Sequence, residues 1–116
     1  MRVGLGTDVG GGTSLSMLQT LNEAYKVLQL GGQSLSAASG FYLATLGGAH
    51  SLYLDDRIGN FAPGKEADFV VLDPRATPLL ARRSAACTTL EERLFVLMML
   101  GDDRAVAATY VMGVPM

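Results

Sequence analysis

One short apolar run, Met1 to Leu5, opens directly into the glycine-rich stretch Gly6-Thr7-Asp8-Val9-Gly10-Gly11-Gly12. This arrangement limits the fold more than any other feature of the chain. It reads as a buried strand ending in a sharp turn. Thr13 or Ser14 can cap a following helix, and Leu15, Leu18, Leu21, Tyr25 and Leu28 recur at spacings of three and four, so residues 14–30 are predicted to form an amphipathic helix. A strand feeding a helix is half of a parallel βαβ unit. A lone strand has nothing to pair with in a parallel sheet, so this part of the chain does not close on itself.

The rest of the chain shifts toward β chemistry. Ser36 is a good cap for a helix over about 37–46, which Gly47-Gly48 should break, with a helical turn through Leu52. Arg57 to Phe61 alternates loosely, Pro63-Gly64 signals a turn, and Phe69-Val70-Val71-Leu72 is a compact strand run closed by Asp73-Pro74. Residues 75–88 have no clean period and read as loop. Thr89-Leu90-Glu91-Glu92 has the form of a capping box, starting a helix at about 89–100 with Gly101 as its stop. Ala105 to Met112 is a strand, and Gly113 to Met116 a turn into one more. The expected organisation is therefore α/β, with a strand and helices over 1–53 and a β layer with one helix over 54–116.

Composition sharpens the mismatch between length and content. In 116 residues, 49% are hydrophobic, and with the 14 glycines the apolar-plus-glycine share is about 61%, against about 45–50% in average domains. Only 17% are charged, where about 25% is usual. A small domain should be more polar than average, because so much of it is surface. The content is that of the interior of a larger protein. Disorder is excluded. A net charge of −2 with scattered basic residues argues against nucleic acid. The longest apolar run, Leu94 to Leu100, is far short of the ~20 residues that span a bilayer, and no export signal opens the chain. A single cysteine, Cys87, rules out a disulfide framework, and a reducing cytoplasm is the expected compartment.

Asp8 is the strongest candidate for chemistry. It lies just past the end of the first strand, where α/β folds gather catalytic and binding groups, and a carboxylate there can bind a metal or move a proton. Local residues leave a second reading open: an Asp that caps a helix or makes an Asx turn. Two nucleotide-site patterns fail. A dinucleotide fingerprint from Gly4 meets Val9 where glycine is needed, and Gly59 to Glu66 ends in Glu where a phosphate loop needs Ser or Thr. His50, the only histidine, cannot build a histidine-rich metal site alone. Cys87 has no evident activating partner, Met98-Met99 reads as core, and Asp55-Asp56-Arg57 and Asp102-Asp103-Arg104 read as solvated turns.

Taken together, Gly4 to Ser14 closely resembles the segment at the eighth barrel strand of the guanine deaminase family, within the amidohydrolase superfamily. Phe41 to Ala49 resembles that family's following helix. Leu54 to Phe61 and Pro63 to Asp73 resemble its return from the barrel into a β-sandwich, and Leu100 to Arg104 with Tyr110 to Gly113 resembles the end of its chain. The Gly64-Lys65 and Ala67-Asp68 pairs are common to many amidohydrolases. The Thr7 to Gly12 turn and the Asp55 to Phe61 run point more narrowly to guanine deaminases.

The resemblance implies the C-terminal fragment of a (β/α)8 metal-dependent hydrolase barrel: the last barrel strand and its helices over 1–53, then part of the β-sandwich domain over 54–116. It implies a zinc enzyme that hydrolyses guanine to xanthine and ammonia, with Asp8 as both zinc ligand and proton acceptor. The family's histidine ligands, its acid/base glutamate and its guanine contacts have no counterpart here, so the chain alone is expected to hold no catalytic zinc and to be inactive. The alternatives are another purine or amidohydrolase-family aminohydrolase, or a non-catalytic piece that self-associates through exposed apolar surface.

Overall fold

In a computed structural model, which describes residues 2–116, five helices and a small sheet follow one another as α1 (Met17–Leu30), α2 (Ala37–Ala44), α3 (Leu46–Ser51), β1 (Phe69–Leu72), α4 (Pro78–Ser84), α5 (Leu90–Leu100), β2 (Val106–Val111) and β3 (Val114–Pro115), with a 3₁₀ turn at Asp103–Ala105. Helices α1, α2 and α4 pack on α5, and the sheet forms the other layer. No helix among the described residues is long and apolar enough to cross a membrane.

Each helix start has a local cause. Ser16 caps α1 by accepting from the Gln19 amide, so the helix begins three residues later than expected. Ser36 caps α2, accepting from the Ser39 amide at 3.1 Å. The next two amides of α2, Ala37 and Ala38, donate to Oε1 of Glu91 on α5, at 3.0 and 3.4 Å. The Gly40 amide then makes the first intrahelical bond, to the Ser36 carbonyl at 2.9 Å. The three amides of the first turn that have no intrahelical partner, those of Ala37, Ala38 and Ser39, are thus all satisfied. The Thr89–Glu92 capping box on α5 is present as expected.

Four expectations need correction. Residues 2–8 carry no strand, because no neighbouring strand is present to form a ladder; Met1 lies outside the described residues. Their one longer-range backbone bond runs from the Leu5 amide to the Leu43 carbonyl of α2, at 3.0 Å. The break between α2 and α3 falls at Thr45, and Gly47-Gly48 lie inside α3. Arg57 to Phe61 is turn rather than strand: the Arg57 and Ile58 amides both donate to the Leu54 carbonyl, folding the segment back on itself. Residues 78–84, read as loop, form α4. The missed signals are the Thr77 cap and Pro78 at its first position, with Arg82 and Arg83 in the last turn. Gly101 ends α5 as expected, though in an extended conformation.

The sheet is antiparallel in the order β1-β2-β3. Phe69 faces Tyr110 with rings stacked at 4.5 Å, and a bulge separates Val71 from Leu72. Met112 and Gly113, both at positive φ, make the two-residue hairpin turn into β3. The Met112 amide donates to Asp68 at 2.7 Å, tying that turn to the start of β1.

The core joins the two ends of the chain. Leu18, Leu21 and Ala37 are buried with Leu80, Val96, Leu97, Met98 and Ala105. Asn22 on α1 donates its side-chain amide to the Met99 carbonyl of α5 at 2.7 Å. Much apolar surface remains uncovered: Leu15, Leu30 and Phe61 are each at least three-quarters exposed, and Val70 and Val71, neighbours on β1, are both exposed. Leu15, Leu18, Phe41, Phe69, Val70 and Tyr110 help line an open apolar cleft of about 660 Å³ between helices and sheet.

Candidate functional site

The Asp8 turn is built by backbone. The Asp8 carbonyl accepts from the amides of Gly11 and Gly12, at 2.9 and 2.5 Å, so residues 8–12 close on themselves. A side chain at Gly12 would collide with the Thr7 carbonyl, and one at Gly11 would come within 2.7 Å of the Asp8 carboxylate. Glycine at these two positions lets the chain turn this tightly and keeps the space around the carboxylate clear.

Asp8 itself has φ +49°, a left-handed conformation that Asp tolerates at a cost of about 1 kcal/mol. Its side chain is exposed and makes no hydrogen bond among the described residues. The cap of α1 is Ser16, eight residues on, and the turn closes through the Asp8 carbonyl, not the carboxylate. The helix-cap and Asx-turn readings therefore have no bond to rest on, and a carboxylate is presented on a conformationally costly backbone with no structural bond to make.

Upstream of the turn, residues 2–5 lie on α2 and α3. The Arg2 guanidinium donates to the His50 carbonyl at 3.3 Å and sits 4.5 Å over the Tyr53 ring. Gly4 lies against Gly48 and Ser51 of α3, where an added Cβ would come 2.7 Å from both the Gly48 Cα and the Ser51 Oγ. Sequence reading gave no role to Arg2 and took Gly4 only as the first residue of a failed dinucleotide pattern and of the family-like segment. Gly4 was read inside the opening strand and Gly6 in the turn, and only the packed structure distinguishes Gly4, which is pressed on a helix, from Gly6, which has open space around it.

The other candidates lie in structural roles. His50 Nε2 meets Asp55 Oδ2 at 3.2 Å, with the Tyr42 ring edge-on to the imidazole. The Cys87 thiol donates to the Arg83 carbonyl at 3.4 Å. Asp102 caps the 3₁₀ turn and pairs with Arg104 at 2.6 Å; the hydrogen bond from Arg104 holds its carboxyl below the ordinary value. Arg57 pairs with Glu66, and that bond raises the guanidinium's pKa. No group of three or more His, Cys, Asp or Glu side chains placed to hold a metal occurs among the described residues.

Residues 1–116 match the family model described as "Amidohydrolase family". The chain is 65% identical over 113 residues to guanine deaminase of Escherichia coli strain K12, spanning 97% of this chain and 26% of that protein. The solved E. coli guanine deaminase superposes with a TM-score of 0.97 at 63% identity, over 99% of this chain and 27% of that one. Guanine deaminase from Bradyrhizobium japonicum gives 0.85 at 40% identity, over 100% and 31%. The guanine deaminase of C. acetobutylicum, solved with guanine bound in its active site, gives 0.73 at 27% identity, over 98% and 27%. The chain thus spans about a quarter of the length of the curated relatives it matches. By sequence along its whole length and by fold, this chain belongs to the amidohydrolase family.

Proposed function

We propose that this chain supplies part of the active site of a guanine deaminase, contributing the carboxylate of Asp8. The observation that carries the reading is the 65% identity to the E. coli enzyme across 97% of the chain. The free carboxylate at a glycine-built turn supports it chemically.

Conversion of guanine to xanthine adds water at the ring carbon that bears the exocyclic amine and releases ammonia. Both protons leave the water oxygen, which ends as a carbonyl: one reaches the adjacent ring nitrogen and one the departing amine. A carboxylate without a structural bond can accept a proton from the water and deliver it to the amine, which returns it to its starting state, while the proton for the ring nitrogen passes through a group outside these residues. Asp8 is that group in this reading.

Asp8 alone does not make a zinc site. Structural and catalytic zinc takes at least three protein ligands, and the described residues gather no such set. In this reading Asp8 is one ligand of a zinc completed by residues outside these 116, the barrel is likewise completed by them, and the chain alone has no deaminase activity. A cytoplasmic setting is consistent with the one free thiol, Cys87.

The test is a chimera: the E. coli relative with its matching stretch replaced by this chain. It should release ammonia from guanine and retain zinc. Asp8→Asn in that chimera should lower kcat by about 10³-fold or more, the scale of losing a positioned acid/base group. Turnover of Asp8→Asn within tenfold of the unsubstituted chimera refutes the assignment of Asp8.

A second reading rests on the exposed apolar cleft of about 660 Å³: the separate chain associates with itself through that face. Light scattering at rising concentration decides it, and a constant monomer mass counts against it.

A further inference from the structure

We propose that Gly4 is a positioning residue, whose bare backbone seated on α3 sets where Asp8 lies. The proposal rests on the Asp8 reading above. Three contacts hold the segment that leads to Asp8: Arg2 on the His50 carbonyl and the Tyr53 ring, Gly4 against Gly48 and Ser51, and the Leu5 amide on the Leu43 carbonyl. Only the middle contact depends on having no side chain.

The geometry sets the size of the effect. A Cβ on Gly4 would lie 2.7 Å from the Gly48 Cα and from the Ser51 Oγ, where ordinary contact begins at 3.4 Å. The segment must therefore lift by about 0.7 Å. Ser51 cannot yield freely, because its hydroxyl donates to the Gly48 carbonyl at 2.7 Å, and the Gly48 contact is backbone. That lift strains the adjacent Leu5–Leu43 bond at 3.0 Å. It is carried along the chain to Asp8, because the turn beyond is closed by its own Asp8–Gly11 and Asp8–Gly12 bonds and moves as a unit. A misplacement of 1 Å at a reacting group can cost about 100-fold in rate.

Two measurements test this. In the 116-residue chain, hydrogen exchange of the Leu5 amide should speed up at least tenfold in Gly4→Ala and stay unchanged in Gly6→Ala, whose Cβ meets nothing within 4 Å. In the chimera, Gly4→Ala should lower kcat by roughly 10–100-fold, with KM for guanine within threefold and the helical circular dichroism unchanged. Ser51→Ala added to Gly4→Ala removes one of the two collisions and should recover part of both signals, which a merely destabilised chain would not do. Leu5 exchange equal in Gly4→Ala and the parent chain overturns the proposal. So does an unchanged kcat in a chimera that Asp8→Asn inactivates, and in that case the Asp8 reading stands. An active Asp8→Asn chimera overturns both, whatever the Leu5 amide does.

Discussion

Replacing Glu91 by Ala removes the tie between α5 and the N-terminus of α2. The carboxylate holds the Ala37 amide at 3.0 Å and, more weakly, the Ala38 amide at 3.4 Å, across 54 and 53 residues of sequence. A hydrogen bond to a charged group contributes about 1.5–3 kcal/mol, and a negative charge at a helix N-terminus about 0.3–1 kcal/mol. One bond is long, and water reaches the exposed Ala38 once Glu91 is gone. The net loss expected is about 1–2 kcal/mol, or roughly 3–8 °C in Tm for a domain of this size. Glu91→Gln keeps an acceptor without the charge and should lose about half as much. The measurement is thermal unfolding followed by helical circular dichroism at low salt and at 0.5 M salt. Salt should narrow the gap between the parent and the Glu91→Gln variant, because it screens the charge at the helix end. Glu91→Ala within 0.5 kcal/mol of the parent would refute the reasoning, by showing that Ser36 and solvent satisfy α2 unaided.

Met98 is fully buried, and a Cβ on Gly40 would lie 3.2 Å from its sulfur. Met98→Ala should cost about 2–5 kcal/mol in urea unfolding, and Gly40→Ala should cost measurably less in the Met98→Ala background than in the parent, because its methyl then fills vacated space. Glu92 accepts from the Thr88 and Thr89 amides, and the Thr88 bond above all lowers its pKa from 4.5. The unfolded chain therefore binds protons at higher pH than the folded one, so the stabilisation is complete above about pH 4.5 and is lost as pH falls through the depressed folded value. Glu92→Gln should flatten that acid limb of Tm against pH, while Asp102, lowered from 3.8 by Arg104, supports the limb at still lower pH. Dialysed against zinc and then buffer, the 116-residue chain should retain well under one zinc per chain by elemental analysis, since one carboxylate is too few ligands.

The sequence was most legible where the signal is local. The caps at Ser36 and Thr89 and the β run at Phe69–Leu72 depend on a few adjacent residues, and all three stand in the structure; the turn into a last strand stands too, though at Met112-Gly113 rather than from Gly113 on. It was least legible where a partner decides. Met1–Leu5 has a strand's composition, but a strand exists only through its neighbour's hydrogen bonds. Helix α4 has seven residues and one fully buried side chain, Leu80, so it offers no period to read. Asp8 stood out from its glycines, yet its freedom from capping duty became visible only when Ser16 was seen to hold the helix. Gly4 was invisible as a contact, because Gly48 and Ser51 lie more than forty residues away.

The pairing of α1 with α5 also sets an order in time. Leu18 and Leu21 find their cover in Leu97 and Met98, and Asn22 its acceptor at Met99, 77 residues later. At synthesis rates of about 5–20 residues per second, the apolar face of α1 waits roughly 4–15 seconds on the ribosome before α5 exists. During that interval the only long-range backbone bond of the Asp8 segment is to α2, itself not yet tied down by Glu91. The carboxylate that comes first in the chain is among the last groups to be fixed in place. A translation pause between α1 and α5 would lengthen that exposure.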